Sequence, residues 1–509
     1  MKAGQAASAA NRFGLGAKPG ELASIGGDPP AWLLRQLQPM PLPAAFAALA
    51  DSSDILRSEY AYRSARRASK QDKTGRVATV DVATLPMRRN PDAATADDPA
   101  PGDSGPLKMQ RRELARVGLA EITTRYQWAA TTDAAFVERL TRFWSNHFAV
   151  SVDKGDARLY AAPMEREAIR PHVLGNFFDL LLAVETHPAM LRYLDNVASV
   201  GEDSMFATRA SRRMERMTIQ GNDVPKRKLG LNENLAREIL ELHTLGVDGG
   251  YQQADVTEFA RAITGWGTPL PRDFLRGDAR AGAHARTGFV FRAAAHEPGP
   301  RSVLGKRYAD AGQAQGEAIL RDLARHPATA KHLSLKLARH FVSDDPPPAL
   351  VARMTRAYLD SNGDLTHLYK ALIESPEAWS PAARKFKTPD DFVVSAMRAG
   401  AIDFDRDPRI LMQLLDHLGQ PVFTPRSPAG FPDTAADWIA GDGLWKRIQA
   451  AEALADRVAV AQQNPTAAAQ ASLGTESVSG DFAAALRRAG SPRDGLALLF
   501  ASPAFQWRA

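Results

Sequence analysis

Cysteine is absent from all 509 residues. That excludes disulfides, thiolate nucleophiles, iron–sulfur clusters and cysteine-ligated zinc, and it leaves His, Asp and Glu as the only strong metal ligands. Long apolar runs are also lacking: the greasiest, FFDLLLAV, falls well short of the ~18 residues that read as a membrane span. The N-terminal stretch MKAGQAASAANRFGLG has no apolar core of secretory-signal length, so the reading is a cytoplasmic chain with no membrane span. Missing too are a strand-linked G-x-G-x-x-G, a P-loop lysine, H-E-x-x-H, paired E-x-x-H and G-x-S-x-G, which leaves no nucleotide or flavin signal and no serine elbow. Net charge is only +6, from 64 basic and 58 acidic residues. The basic clusters RSARRASK (Arg63 to Lys70) and PKRK (Pro225 to Lys228) carry no interleaved aromatics, so they read as solvated, loop-like surface and not as a nucleic-acid groove.

What is present is helical. Apolar residues recur at three- and four-residue spacing in AWLLRQL, RRELARVGLAEITTRYQWAA, AAFVERLTRFWSNHFA, VTEFARAITGW, TAKHLSLKLARHFV and LVARMTRAYLDS, each bounded by Gly, Pro, Ser or Asp. The expected fold is mainly α: a globular, bundle-like array of many helices with a small β-hairpin near 288–308 and long irregular loops. Two short runs in GFVFRAAAHEPGPRSVLGKRY supply the hairpin, flanking a turn at Pro298, Gly299 and Pro300. Stretches 68–105, 268–287 and 462–480 lack periodicity and read as loops. The resulting division is an N-terminal helical segment 1–62, an insertion 63–106, a main helical core 107–460 and a C-terminal loop and helix 461–509. LYKALIESPEAW and LALLFASPAFQW echo each other as apolar helices stopped by Ser-Pro, which a shared helix-stop rule explains as well as duplication does.

One helix concentrates chemistry. GLNENLAREILELHTLGVDGGY, Gly230 to Tyr251, reads as a single helix with a glycine stop at Gly246. At 3.6 residues per turn Asn234, Glu238 and Glu241 share a face beside the stripe Leu235, Ile239, Leu242 and Leu245. Carboxylates at i, i+3 couple when buried, so one can stay protonated while the other is ionised, the arrangement acid/base catalysis uses. The bland account is an Arg237–Glu241 ion pair with Asn232 as N-cap. Two further segments end apolar helices in polar groups: FWSNHFAVSVDKG brings Trp144, Asn146, His147 and Lys154, and EREAIRPHVLGNFFDLLLAVETHPAMLRYLDN brings Glu165, His172, His187, Asp195 and Asn196. His187 before Pro188 also suits a plain capping role.

The ordered motifs NRFGLGAKPGEL, FWSNHFAVS, IRPHVLGNFFDLLLAVETHPAMLRYLDN, NENLAREILELHTLGVDGGYQQADVTEFARAITGW, AAHEPGP with VLGK, HPATAKHLSLKLARHFV and GQPVFTPRSPAGFPDTAADWI together resemble the bacterial family catalogued as domain of unknown function 1800. The resemblance covers most of the chain and brings no settled activity. It implies a neighbouring partner similar to the phosphatase and sulfatase class, a protein of the family domain of unknown function 1501, and with it a periplasmic or extracellular setting as the alternative location. Glu297 and Arg301 stand where the family pattern leads one to expect Asp and Lys.

Three functions follow as expectations. The first is a hydrolase or lyase on a polar, glycan-like polymer, with Glu238 and Glu241 as the acid/base pair, His147 and His172 as proton carriers, Asn146, Asn196, Asn234 and Arg237 orienting substrate, and Trp144 and Trp266 as stacking walls. The second is a divalent-metal enzyme with Glu165, His172, Glu238 and His243 as ligands. The third is a non-catalytic binding or assembly partner of the phosphatase-like protein.

Overall fold

The computed structural model describes residues 2–74, 105–220, 230–275 and 288–508. These residues form a mainly α-helical array with three two-stranded antiparallel sheets. The central helix, Ala135–His147, buries Phe136, Leu140, Phe143, Trp144 and His147, a spacing of four, three, one and three that places them against surrounding helices. His-Pro pairs start two helices. The imidazoles of His187 and His326 accept the N–H of Ala189 and Ala328 at 3.2 and 3.1 Å, with Pro188 and Pro327 in the first turn where no N–H is needed.

Apolar burial falls into a large cluster running from Phe13 to Ala383, a second one built from residues 392–505 with Leu15, Tyr126 and Ala129, and a small N-terminal one of Ala6, Ala9, Ala10, Ala17 and Ile25. The N-terminal motif joins them. Arg12 donates to the carbonyls of Ala378 (2.5 Å) and Ala383 (2.7 Å), and Ser395 and Arg398 donate to those of Leu15 (2.9 Å) and Gly16 (2.6 Å). Gly16 is left-handed (φ 97°) and a Cβ there would meet Ser395 Oγ at 2.9 Å, so the tuck needs glycine. Near the C-terminus, Trp507–Arg508 pairs with Lys385–Phe386. Among the described residues no helix is long and apolar enough to cross a membrane.

The expected hairpin is present, but its turn is elsewhere. Arg301–Val303 pairs with Lys306–Tyr308 through Leu304 and Gly305, both left-handed (φ 49° and 74°), while Val290–Phe291 pairs instead with Trp266–Gly267. Two stretches read as loops are helical: Ser52–Thr74 runs through Arg63 to Lys70, and Pro465–Leu473 is an alanine-rich helix capped by Asn464. Alanine carries high helix propensity without amphipathic contrast, which is why periodicity missed it. Residues 75–104, 221–229, with the PKRK cluster, and 276–287 lie outside the described residues. Both Ser-Pro stops hold: helices Leu365–Ile373 and Pro492–Ala501 each end before one.

Candidate functional site

The expected single helix at 234–244 is two structures. Asn234–Glu238 is α-helical, and Ile239–Thr244 is a π-turn in which Leu245 N–H donates to the Leu240 carbonyl (3.0 Å) and Thr244 Oγ1 to that of Ile239 (2.6 Å), both five residues back. Two histidines from other helices catch carbonyls of this turn. His147 Nε2–H donates to the His243 carbonyl (3.2 Å) and His332 Nε2–H to that of Leu242 (3.2 Å). His243 itself turns inward: its Nδ1–H donates to Glu185 Oε1 at 2.8 Å, both side chains are fully buried, and His243 Nε2 and Glu185 Oε2 have no partner.

The wider turn changes what faces what. In a π-turn residues five apart align, so Glu238 sits over His243, and the expected i, i+3 pairing with Glu241 gives way. Glu241 accepts from Tyr251 Oη (3.0 Å), and Arg237 pairs with Glu233 (3.1 Å) and Gln253 (2.9 Å), not with Glu241. Glu238 is half-buried and makes no hydrogen bond. Burial raises its carboxyl above the ordinary range, with His243 opposing and the charges of Glu241 and Glu185 adding to the rise. Tyr193, raised by burial, feels Glu238 and Asp153 as well, and Lys154 next in the chain pairs with Asp195 (2.6 Å). The three polar segments singled out from the sequence therefore do meet: His147, Glu185, Tyr193 and the 238–243 turn surround one locality.

Electrostatically this locality disfavours the charged forms of His147 and His332. Burial depresses His147 far below the usual imidazole value, with Lys336, His243 and His332 adding, and depresses His332 to about 4. Lys336, one turn after His332, is lowered to about 8, chiefly by burial. The rings of His243 and His332 lie 6.1 and 6.3 Å from that of His147.

Other expected site residues lie elsewhere. His172 donates from Nδ1 to the carbonyl of Ala168 (2.8 Å), four residues back in its own segment. Glu165 is held by Arg125 (2.8 and 3.0 Å) and Arg170 (3.4 Å), so its oxygens are already occupied by guanidinium. Among the described residues no three His, Asp or Glu side chains are grouped to hold a metal, and the set Glu165, His172, Glu238 and His243 is not brought together. Trp144 and Trp266 are core, not stacking walls: both are essentially unexposed, and Trp144 donates to Tyr369 Oη (2.7 Å). Asn196 is buried and clamps the carbonyls of Ile263 and Trp266 (3.2 and 3.0 Å). Asn234 is exposed at the helix start, where its N–H donates to Asn232 Oδ1 (3.0 Å). His187 caps its helix and meets Glu167 (3.1 Å) and Ser52 (3.2 Å).

Asn146 belongs to a second polar locality that the sequence reading did not assemble. A cavity of about 70 Å³ lies between Arg125, Arg142, Tyr126 and Asp390 below and the 420–431 loop above. Asn146 fixes the loop by donating to the Phe431 carbonyl (2.9 Å) and accepting its N–H (2.8 Å), against Gly430, where a Cβ would lie 2.3 Å from the Asn146 carbonyl. Tyr126 and Arg142 both bond Asp390, and the two guanidiniums hold that carboxyl below its ordinary range despite burial. Of the groups missed, His332 and Lys336 carried a signal: TAKHLSLKLARHFV places His332, Lys336 and His340 at i, i+4, i+8, one polar face on an otherwise apolar helix.

No curated protein and no solved structure matches the chain. The sequence model described as Protein of unknown function (DUF1800) matches residues 8–507, and this span includes the NRFGLG tuck, the π-turn and the 420–431 loop. The chain belongs to the DUF1800 family.

Proposed function

We propose that the protein is a hydrolase or lyase acting on a polar, glycan-like polymer, with Glu238 as its acid/base group. One observation carries the reading: a half-buried carboxyl without a hydrogen-bond partner, its proton affinity raised, stands one π-turn from a histidine whose Nδ1–H is fixed by a buried glutamate. In this scheme Glu238 gives its proton to the leaving oxygen as the C–O bond breaks, and the balancing proton returns to it from the water that adds to the sugar carbon in hydrolysis, or from the neighbouring carbon as the double bond forms in elimination. His243, held at Nδ1 by Glu185, anchors the turn that carries Glu238. Glu241 acts through its charge, as a like neighbour that raises Glu238, and not as the reacting partner. His147 positions the turn. The test is Glu238→Gln assayed on a panel of soluble polysaccharides, following new reducing ends and the ultraviolet absorbance of unsaturated sugar products. Loss of turnover with an unchanged Tm supports the reading; retained turnover, or unfolding of the variant while Glu238→Asp keeps its fold and shows no activity change, defeats it.

A second reading is favoured by a different feature. Leu444, Trp445 and Ile448 are exposed (47, 61 and 42%) on one side of the Gly443–Ala455 helix, an apolar face fit for a protein partner. Under this reading the chain assembles with a phosphatase- or sulfatase-like protein of the domain of unknown function 1501 family. Co-purification of the pair, lost in Trp445→Glu, supports it; separate elution of the two proteins counts against it.

A further inference from the structure

The helix Met205–Ile219, MFATRASRRMERMTI, carries Arg209, Arg212, Arg213 and Arg216. Their spacing of i, i+3, i+4 and i+7 puts all four on one face, spread over about 10 Å of helix. All four are exposed, and among the described residues no ion pair or hydrogen bond reaches their guanidinium groups. Elsewhere on the surface, cations at this spacing are matched: Arg57 with Asp54, Arg116 with Glu113, Lys370 with Glu374 and Lys446 with Asp442. Like charges three and four residues apart destabilise a helix, and Glu215 is the helix's one carboxylate, so the stripe is an unfavourable arrangement until something anionic covers it.

The segment that leads into this helix is joined to the segment that leads into the proposed site. Val200 N–H donates to the Gly230 carbonyl (3.2 Å) and Asn232 N–H to Ser199 Oγ (3.1 Å), so the root of this helix is tied to the start of the helix that carries Glu238. The opposite face, Ala207, Ala210, Met214 and Met217, is half-buried against the body of the protein. A lipid-seeking helix would turn that face outward and bury it among acyl chains. A nucleic-acid reader would add amide side chains for base edges and a broader positive field, whereas the stripe has only arginines and the whole chain a net +6. Phe206, exposed in the first turn, gives the flat apolar surface on which a sugar ring stacks.

We infer that this helix is a binding strip for an acidic polysaccharide, and that the polymer reaching Glu238 is of that anionic class; the inference rests on the polymer reading above. Guanidinium groups recognise the carboxylates or sulfates of a linear chain in pairs, and the strip feeds the chain toward the 238–243 turn.

The test uses the full chain, with polygalacturonate as probe and dextran as the neutral control. Wild type binds polygalacturonate and not dextran, and binding weakens as salt rises. R209Q/R212Q/R213Q/R216Q, with unchanged Tm, binds roughly tenfold or more weakly, the sum expected of four screened surface pairs, while the corresponding four-lysine variant keeps most of the affinity. Equal binding by the glutamine variant, tighter wild-type binding to a homopolymeric RNA or to phosphatidylglycerol vesicles, or no polygalacturonate binding overturns the inference. Turnover of a neutral glycan that needs Glu238 but not the arginines overturns the strip and leaves the Glu238 reading standing. Arginine-dependent binding with no turnover of any polymer supports the strip and removes the enzyme.

Discussion

Acidification from about pH 7.5 to about pH 5.5 is expected to loosen the π-turn before the depressed carboxylates begin to titrate. His147 and His332 hold its carbonyls as neutral donors, and burial depresses both. For His332 the folded value is about 4 against 6.5 unfolded. The unfolded chain therefore binds a proton that the folded chain refuses, so the contribution is complete above 6.5 and falls as pH drops toward about 4. At about pH 5.5 the loss from one such histidine is about 1.4 kcal/mol, because the unfolded side is roughly ten-to-one protonated and the folded side almost not. His147 and His340, both also lowered by burial, act in the same direction. Asp390, Asp391 and Asp433 are depressed below the usual carboxylate range, so their contributions are lost only at lower pH. Glu238 and Glu121 are raised and work in the opposite direction, which is why a variant comparison is needed. His332→Gln keeps an N–H for the Leu242 carbonyl but cannot titrate. Urea unfolding of wild type and variant at both pH values should show the variant losing about 1.4 kcal/mol less between them. Equal losses would refute the assignment of His332 as a buried neutral clamp.

Two further outcomes follow from the same contacts. Gly246→Ala places a Cβ in a left-handed residue (φ 88°) and 2.9 Å from His332 Nδ1, so a loss of about 1–2 kcal/mol from backbone strain alone is expected, with faster amide exchange in the turn; an unchanged Tm counts against the close approach. Arg125→Leu strips Glu165 of its two-bonded partner and leaves it buried with only the longer Arg170 contact (3.4 Å), for a loss of about 3 kcal/mol, and the double variant with Glu165→Leu should recover much of it. A double variant no more stable than the single one would show that the pair is not the source of the loss.

The helical architecture was readable because amphipathic spacing, His-Pro starts and Ser-Pro stops are local rules that the chain obeys. What escaped was set by geometry that no local rule encodes. Leu304 is a poor candidate for a left-handed turn residue, so the Pro298–Pro300 stretch looked the better turn. Glu185 was within a quoted motif, yet nothing about AVETHP says that its carboxylate meets an imidazole 58 residues later. Asp390 and Arg125 were passed over for a similar reason: their partnership joins segments 265 positions apart in numbering, 125 to 390, and each taken alone is an ordinary charged residue.

The π-turn is the clearest case, and it reorganises the reading of Glu238. On a regular helix Glu238, Glu241 and Leu242 would share a face, and His243 would point about 140° away from Glu238. Widening the turn from Ile239 to Thr244 brings position 243 under position 238, sends Glu241 to Tyr251, and alters the carbonyl ladder at Leu242 and His243, where His332 and His147 now donate. Leu242 and His243 lie in the last turn before Gly246, where helix carbonyls lack intrahelical donors, and leaving either buried imidazole N–H unmet there would cost about 1–3 kcal/mol. The histidines thus tie down the end of this helix, and Glu238, close enough to feel the charge of His243, is the carboxyl whose proton affinity burial raises. Arg237 pairs with Glu233 one turn back, and the Glu238 side chain is left without a hydrogen-bond partner.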